Sequence, residues 1–207
     1  EVFQAETRAV DATQLTPQAA RDMLPILNLE HCAFAARVDD AFDIDTDRLI
    51  QHFARVTRAN GGTIATGAEV KSLSRSELGW TVETGADSFQ GKTIVNAAGP
   101  WADRIAALAG IAPLGIQPYR RSMARLPAPG GHDVRKWPFV LHIGEGWYAK
   151  PDAGAWLVSP CEEDPLDPQD AWADDMVIAE GLDRYARFVT EEVTRVETTW
   201  AGLRSFA

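Results

Sequence analysis

The chain has 207 residues and a formal net charge of −10 at pH 7, with 45% hydrophobic and 24% charged residues. This length allows one full hydrophobic core and part of a second, and the composition is that of a globular protein. The negative charge argues against binding to nucleic acid or to an anionic membrane surface, and there is no run of about 18 apolar residues to span a bilayer. Cys32 and Cys161 have no His or Cys at metal-ligand spacing, so we expect two free thiols in a cytoplasmic protein.

The first third of the chain predicts two capped helices. Thr16 followed by Pro17 suits the start of a short helix over residues 19–24. Asp45 or Thr46 can cap a second helix, which residues 60–62 end. The apolar face of this second helix is expected to contain Leu49, Ile50, Phe53 and Val56. The alternation of Asp43, Asp45 and Asp47 resembles a calcium loop, but the glycine and terminal glutamate of that loop are missing, so no metal site is predicted.

Short strands follow the second helix. Residues 63–66 and 69–73 read as strands, and residues 79–84 alternate apolar and polar side chains, as an amphipathic strand does. Gly85 then turns the chain back towards residues 88–90.

Residues 92–103 form the most informative segment. Ile94 and Val95 are typical of a strand buried on both faces. Ala97, Ala98 and Gly99 then remove side-chain bulk where the strand should end, and a helix over residues 101–109 is predicted to follow. A strand that leads through small residues into a helix start lets a ligand lie against bare main chain, near amides that favour negative charge. Close packing of a helix on a strand selects small residues as well.

The second half predicts a β-hairpin over residues 137–150, a strand at 155–159 and a closing strand at 196–203. Residues 162–172 include five acidic side chains and are expected to form a solvated loop. Asp174 can cap a long helix that extends to about residue 194. The sheet-facing side of this helix is expected to contain Met176, Ile178, Leu182, Tyr185, Phe188 and Val189.

Hairpin strands with helices packed on one side predict an α+β fold with a mixed, largely antiparallel sheet. Residues 63–73 and 93–109 look instead like detached strands and a helix of a Rossmann-like nucleotide-binding layer. These features divide the chain into three parts, over residues 1–62, 63–112 and 113–207.

Residues 95–101, Val-Asn-Ala-Ala-Gly-Pro-Trp, resemble the Val-x-Ala-Ala-Gly-x-Trp signature of one flavoprotein family. This family contains D-amino-acid oxidase, glycine oxidase and sarcosine oxidase. Further blocks follow the order of the family: residues 43–49, 60–62, 68–70, 116–121, 147–154, 157–160 and 200–204. The resemblance implies FAD as cofactor and oxidation of the CH–NH bond of an amine or amino acid. It also implies the domain organisation: a helical entry to the substrate domain over residues 1–62, a portion of the FAD-binding domain over 63–112, and a substrate-binding domain over 113–207.

One element of the family pattern is missing. The FAD-binding fingerprint of the family, Gly-x-Gly-x-x-Gly between a first strand and helix, does not occur in this chain. Relatives also have a glycine-rich, flavin-contacting stretch after the position that matches Arg204. We therefore expect this chain to be an internal fragment that is inactive and free of flavin by itself.

The resemblance assigns two side chains to the substrate. Arg204 matches the arginine that binds the substrate carboxylate, and a guanidinium can hold a carboxylate by two parallel hydrogen bonds. Its place beside Trp200 and Leu203 on an apolar strand would make an unpaired charge costly. Tyr148 matches a tyrosine whose hydroxyl reaches the substrate cavity, although tyrosine is also an ordinary core residue of strands. No side chain is assigned as a catalytic base, and the lone His142 is expected to be structural.

The resemblance also assigns residues to the cofactor. Val70 matches the residue whose backbone pairs with the adenine ring, whereas Ala97, Ala98 and Gly99 match those against the adenosine and pyrophosphate. Trp101 is placed near them, and core packing explains it equally well.

Adjacent strand residues point to opposite faces, so at least one of Arg120 and Arg121 is expected to be solvated.

Two other functions remain open at this stage. The chain could be a non-catalytic acidic module that binds a basic partner, since alternating strands and helices fit that function too. It could also belong to an enzyme of the same fold that oxidises a hydroxy acid or glycerol phosphate.

Overall fold

The computed structural model describes Thr7 and residues 11–207, which form two compact units. The first unit combines the residues up to Asp39 with Gln117–Phe206, and the second contains Asp40–Ile116. Among the described residues, no helix has the length and apolar character needed to cross a membrane.

The strands and helices follow one another along the chain in a fixed order. They are β1 Thr13–Leu15, α1 Pro17–Met23, β2 Ala35–Arg37, α2 Thr46–Ala59, β3 Val70–Ser76, β4 Gly79–Thr84, β5 Ser88–Gly91, α3 Ala102–Leu108, β6 Gln117–Leu126, β7 Val140–Leu141, β8 Tyr148–Asp152, β9 Ala155–Ser159, β10 Asp164–Pro165, α4 Asp175–Ala186 and β11 Thr198–Phe206. Single 3-10 turns occupy Gly99–Trp101, Pro129–Gly131 and Val134–Lys136.

The first unit is built on a six-stranded antiparallel sheet. The strand order is β10-β6-β9-β8-β7, and β11 also pairs with β6. The pairing of β11 with β6 is continuous from Thr198, opposite Arg125, to Phe206, opposite Gln117. The predicted hairpin is present, with Val140 opposite Ala149. The prediction of a mixed fold with a largely antiparallel sheet is therefore confirmed.

The core of the first unit lies between one face of this sheet and the helices. The core cluster contains Leu24, Ile26, Leu27, Ala124, Leu126, Val134, Trp147, Ala149, Trp156, Val158, Ile178, Tyr185 and Val189. At its centre the indole Nε1 of Trp156 donates a 2.9 Å hydrogen bond to the Tyr185 hydroxyl. Burial raises the pKa of Tyr185, which keeps this hydroxyl neutral.

The C-terminal helix α4 begins where it was predicted and ends early. The Asp174 carboxylate accepts hydrogen bonds from the amides of Met176 and Val177, as an N-cap does. Ile178 and Tyr185 are buried as predicted, whereas Met176 is 67% exposed, so its predicted place on the buried face was wrong.

The predicted extension of this helix to residue 194 was also wrong. After Ala186 the backbone leaves the helix to pair with the segment after α1. The Thr190 amide donates to the Ile26 carbonyl at 2.8 Å, and the Asn28 amide donates to the Phe188 carbonyl at the same distance. These long-range hydrogen bonds replace the intrahelical ones.

The second unit is a three-stranded antiparallel meander, β3-β4-β5, with two helices. Strand β4 has the bounds predicted for it, and Asp45 caps α2 by accepting from the Arg48 amide at 2.9 Å. The predicted apolar face of α2 is exposed. The exposed fractions are 44% for Leu49, 64% for Ile50, 60% for Phe53 and 42% for Val56.

Two predicted strands of this unit do not form. Residues 63–66 and 93–97 have no strand partner among the described residues, and Val95 is 84% exposed rather than buried on both faces. A strand exists only through hydrogen bonds to a neighbour, because its backbone groups cannot bond within the segment. An apolar run by itself therefore does not specify a strand.

The compact units differ from the predicted domain boundaries. The predicted nucleotide-binding piece starts at residue 63 and ends at 112, whereas the second unit starts at Asp40 and ends at Ile116. Helix α2, which was assigned to the helical entry, lies in the second unit. The functional assignment of the domains stays a prediction.

Gly181 of α4 provides a test of the packing between helix and sheet. A Cβ atom at this position would lie 2.2 Å from the Pro160 Cβ and 2.8 Å from its Cα. Alanine favours helices over glycine by about 1 kcal/mol, but the overlap with Pro160 costs about 1–3 kcal/mol. Gly181→Ala should therefore lower the free energy of unfolding, measured by urea titration. Gly85→Ala is the matched control, because nothing lies within 4 Å of its Cβ position, and an equal loss in both variants would contradict the packing argument.

Candidate functional site

The sheet of the first unit has a second face, opposite the core cluster, which we call the outer face. Directly opposed residues of antiparallel strands point to the same side of a sheet, and alternate residues along a strand do so too. Ser122 and Ala124 of β6 are fully buried towards the core. The registers therefore place these side chains on the outer face: Tyr119, Arg121, Met123, Arg125, Tyr148, Trp200 and Arg204.

Tyr148 lies on the outer face and reaches across the sheet. Its hydroxyl donates to the Met123 sulfur at 3.2 Å, although β9 lies between their two strands. Its ring centroid is 5.3 Å from that of Phe139, which is 56% exposed. The phenol is thus held over the middle of the outer face by a thioether and an aromatic ring.

Arg204 also lies on the outer face, opposite Tyr119 in the pairing of β11 with β6. Its side chain is exposed, so the expectation that the apolar strand buries it was wrong. Tyr119 beside it makes an edge contact with Phe206, with 5.5 Å between ring centroids. Arg204 is therefore opposite one member of an aromatic pair, and its exposed side chain is open to an incoming ligand.

Tyr148 and Arg204 share a face without touching. Three strand spacings of about 4.8 Å and four residues of about 3.3 Å separate their Cα atoms by roughly 20 Å. A cavity of about 500 Å³ in this unit is lined by other residues, among them Leu126, Tyr185 and Glu191. Any site that uses both side chains must extend across the outer face.

The three arginines of β6 are all ion-paired. Arg120 contacts Glu162 and Asp164, Arg121 contacts Glu145 and Glu163, and Arg125 contacts Asp152 and Glu197. The side chains of Arg120 and Arg121 are only 16% and 10% exposed. The expectation that at least one of these two is solvated was wrong, because the acidic segment folds over the strand and neutralises both.

The prediction of a solvated loop over residues 162–172 was wrong at the start of this segment, whereas Glu163, Asp167 and Asp170 are exposed. The Glu162 side chain is only 7% exposed, and β10 pairs Asp164 with Arg120. Sequence reasoning treated the acidic run and the arginines of β6 separately. Their opposite charges were the available signal, since a run of buried guanidinium groups requires carboxylates nearby.

Cys161 lies close to Arg121 and its partner Glu145. Its thiol is buried, and burial raises its pKa while the nearby Arg121 charge opposes that rise. The thiol therefore stays protonated near neutral pH and is a packing group. Both cysteines are free, as expected.

The residues predicted to contact the cofactor lie in the second unit. Val70 starts β3 opposite Thr84, and Ala97 and Ala98 precede the 3-10 turn that begins at Gly99. Gly99 has φ +53° and nothing within 4 Å of its Cβ position. The main chain is thus bare on one side here, as a nucleotide would require. Trp101 follows in the same turn and is 37% exposed.

The side chain of Asn96 holds this turn together. Its Nδ2 donates to the Ala102 carbonyl at 2.8 Å, and its Oδ1 accepts from the Ala98 amide at 3.3 Å. Sequence reasoning assigned no role to Asn96, although an asparagine side chain beside a turn is a usual bridge of this kind.

Asp103 fastens the segment that follows α3, and sequence reasoning missed it as well. Its carboxylate accepts hydrogen bonds of 2.9 Å from the amides of Leu114, Gly115 and Ile116. These amides lower the pKa of Asp103, the Leu114 bond contributing most, because they favour the charged form.

Among the described residues, no group of three or more His, Cys, Asp or Glu side chains could hold a metal ion.

Comparison with known proteins identifies a family for nearly the whole chain. Residues 2–207 match the family described as DAO, FAD dependent oxidoreductase. Human mitochondrial dimethylglycine dehydrogenase is 26% identical over 167 residues, which are 79% of this chain and 19% of that protein.

Two solved structures have the same fold. L-proline dehydrogenase from P. horikoshii superposes with a TM-score of 0.79 at 20% identity, over 94% of this chain and 52% of that one. Glycine oxidase from Geobacillus kaustophilus gives a TM-score of 0.79 at 23% identity, over 94% of this chain and 51% of that one. The chain thus spans about half the length of these two proteins.

The Asp103 carboxylate should make stability depend on pH. Its pKa is lower in the folded than in the unfolded chain, so its contribution is complete above the unfolded pKa of about 4 and is lost as the pH falls through the folded value. Asp103→Asn should lower the free energy of unfolding at pH 7 and flatten its decline in acid, measured by urea titration at a series of pH values. Asp87→Asn, an exposed carboxylate of the same unit, is the control. An unchanged acid profile for Asp103→Asn would show that the three amides do not depend on the charge.

Proposed function

Because the chain belongs to the DAO family of FAD-dependent oxidoreductases, we propose that it forms the substrate-binding part of an enzyme that oxidises the CH–NH bond of an amine or an amino acid. FAD, the cofactor of this family, supplies the oxidant that accepts a hydride when it is bound. The protein's task is to hold the substrate in place and to exclude water.

One observation carries the assignment of the substrate site. Of the four arginines on β6 and β11, Arg120, Arg121 and Arg125 each contact carboxylates, whereas Arg204 has no ion-pair partner among the described residues. An exposed arginine without an ion-pair partner among the described residues, on the same face as Tyr119 and Phe206, suits a carboxylate from outside the chain.

Arg204 and Tyr148 have separate roles in this proposal. Arg204 binds the substrate carboxylate by two parallel hydrogen bonds. The Tyr148 hydroxyl, which already donates to Met123, would orient the end of the substrate that points away from Arg204. The chain provides no catalytic base in this scheme. The substrate reacts as the neutral amine, after its ammonium form has lost a proton to solvent, and the iminium product keeps any remaining N–H proton.

The cofactor contacts belong to the second unit. Val70 would pair with the adenine through its backbone, and the bare main chain at Ala97, Ala98 and Gly99 would border the adenosine and pyrophosphate. The open space beside Gly99 supports this assignment. Trp101 would pack near the same group.

The names of the relatives support an amino-acid substrate. Dimethylglycine, proline and glycine are amino acids whose nitrogen is attached to an oxidisable CH group. Each also carries the carboxylate that Arg204 is proposed to bind.

Arg204→Leu in the complete flavoenzyme tests the anchor. Removing two charge-assisted hydrogen bonds should lower kcat/KM for carboxylate-bearing substrates by about 100-fold or more, measured by anaerobic flavin reduction. Arg187→Leu is the control, because Arg187 is an exposed residue after α4 that pairs with Asp183. Full activity of Arg204→Leu with every carboxylate substrate would remove Arg204 from the site.

The 207-residue chain by itself should be inactive and should not retain FAD. Its segments 63–66 and 93–97 lack partner strands among the described residues, and its sequence has no Gly-x-Gly-x-x-Gly fingerprint. The measurement is gel filtration after incubation with FAD, followed by visible absorbance of the protein peak. Flavin that co-elutes in stoichiometric amount would contradict the prediction.

A further inference from the structure

The outer face contains a second guanidinium close to the proposed carboxylate anchor. Arg121 lies opposite Gly202 on β11, two residues before Arg204. Diagonal neighbours of this kind have Cα atoms about 7–8 Å apart. Two guanidinium groups at this spacing could hold both carboxylates of a dicarboxylic amino acid.

Arg121, however, is already occupied. Its guanidinium contacts the Glu163 carboxylate at 3.1 Å and the Glu145 carboxylate at 3.8 Å, and the arginine side chain is only 10% exposed. The two glutamate side chains are 53% and 60% exposed. Solvent therefore meets two carboxylates at this position rather than one guanidinium.

The two carboxylates come from two different segments of the chain. Glu163 comes from the segment between β9 and β10, and Glu145 from the turn between β7 and β8. Arg184 of α4 stabilises both segments, because its guanidinium donates to the Gly146 carbonyl of the turn at 3.1 Å and to the Pro160 carbonyl before Glu163 at 2.9 Å. The negative charge beside Arg121 is thus a fixed property of the outer face.

There is room for a ligand next to this cluster. Gly202 faces Arg121 across the strand pair, and nothing lies within 4 Å of its Cβ position. A substrate bound by Arg204 can extend its side chain over Gly202. The end of that side chain would then meet the glutamates.

We propose that Glu145 and Glu163, by neutralising Arg121 and adding a surplus negative charge, make this site reject substrates with a second carboxylate. This inference rests on the proposed function of the outer face. The site then selects amino acids with neutral or cationic side chains, by repulsion of the wrong ligand as much as by attraction of the right one.

The test uses two ligands of the same shape in the complete flavoenzyme. Succinate and succinamate differ only in the charge of one end, and their dissociation constants follow from perturbation of the flavin spectrum. The wild-type protein should bind succinamate more tightly. Glu163→Gln, and more so Glu145→Gln combined with Glu163→Gln, should raise the affinity for succinate relative to succinamate by about tenfold.

A matched control is Glu180→Gln on α4, which makes the same chemical change at an exposed position of the helix that packs on the opposite face. This variant should leave the affinity ratio unchanged. The preference of the wild type should also weaken at high salt, because the glutamates are half exposed and salt screens such charges.

The outcomes separate the two proposals. If Arg204→Leu weakens both ligands but the glutamate variants leave their affinity ratio at the wild-type value, the charge selection is wrong and the anchor stands. If Arg204→Leu changes the affinity of neither ligand, the anchor is wrong, and the inference about Arg121 falls with it.

Discussion

The nine-residue pairing of β11 with β6 is the constraint on which the rest of the first unit depends. Its uninterrupted register sorts the side chains of both strands into two sets. One set, with Ser122, Ala124 and Leu126, closes the core against the helices. The other set forms the outer face, where Tyr119 and Arg204 lie opposite each other. A slip by one residue would exchange the two sets and would bury Arg204.

Charge neutralisation is the second organising interaction. Strand β6 has three arginines, and their carboxylate partners come from four different segments of the chain. Such pairs contribute little net stability where they are exposed, but a guanidinium that is 10% exposed is costly without a partner. The pairing therefore determines where the segments around strand β6 are held. It also leaves Arg204 as the arginine of these two strands that has no acidic neighbour among the described residues.

The second unit shows which elements form from interactions between residues close together in the chain. Strands β3, β4 and β5 pair with one another, and α2 is capped by Asp45. The apolar face of α2 nevertheless stays exposed, and residues 93–97 have no strand partner among the described residues. The turn at Gly99 still has a defined shape, since the Asn96 side chain bonds to the backbone of Ala98 and Ala102. Asp103 holds the segment after α3 in the same way.

The sequence by itself determined the features that depend on residues close together in the chain: the caps at Thr16, Asp45 and Asp174 and the hairpin that contains Tyr148. Its short sequence blocks also determined the family and its cofactor. Only the tertiary structure decided that Arg120 and Arg121 are paired, that α4 stops at Ala186, and that Tyr148 and Arg204 share a face. Caps and turns are stabilised by bonds within a few residues. Ion pairs, strand partners and shared faces join residues that are distant in the chain, so their geometry exists only once the sheet has formed.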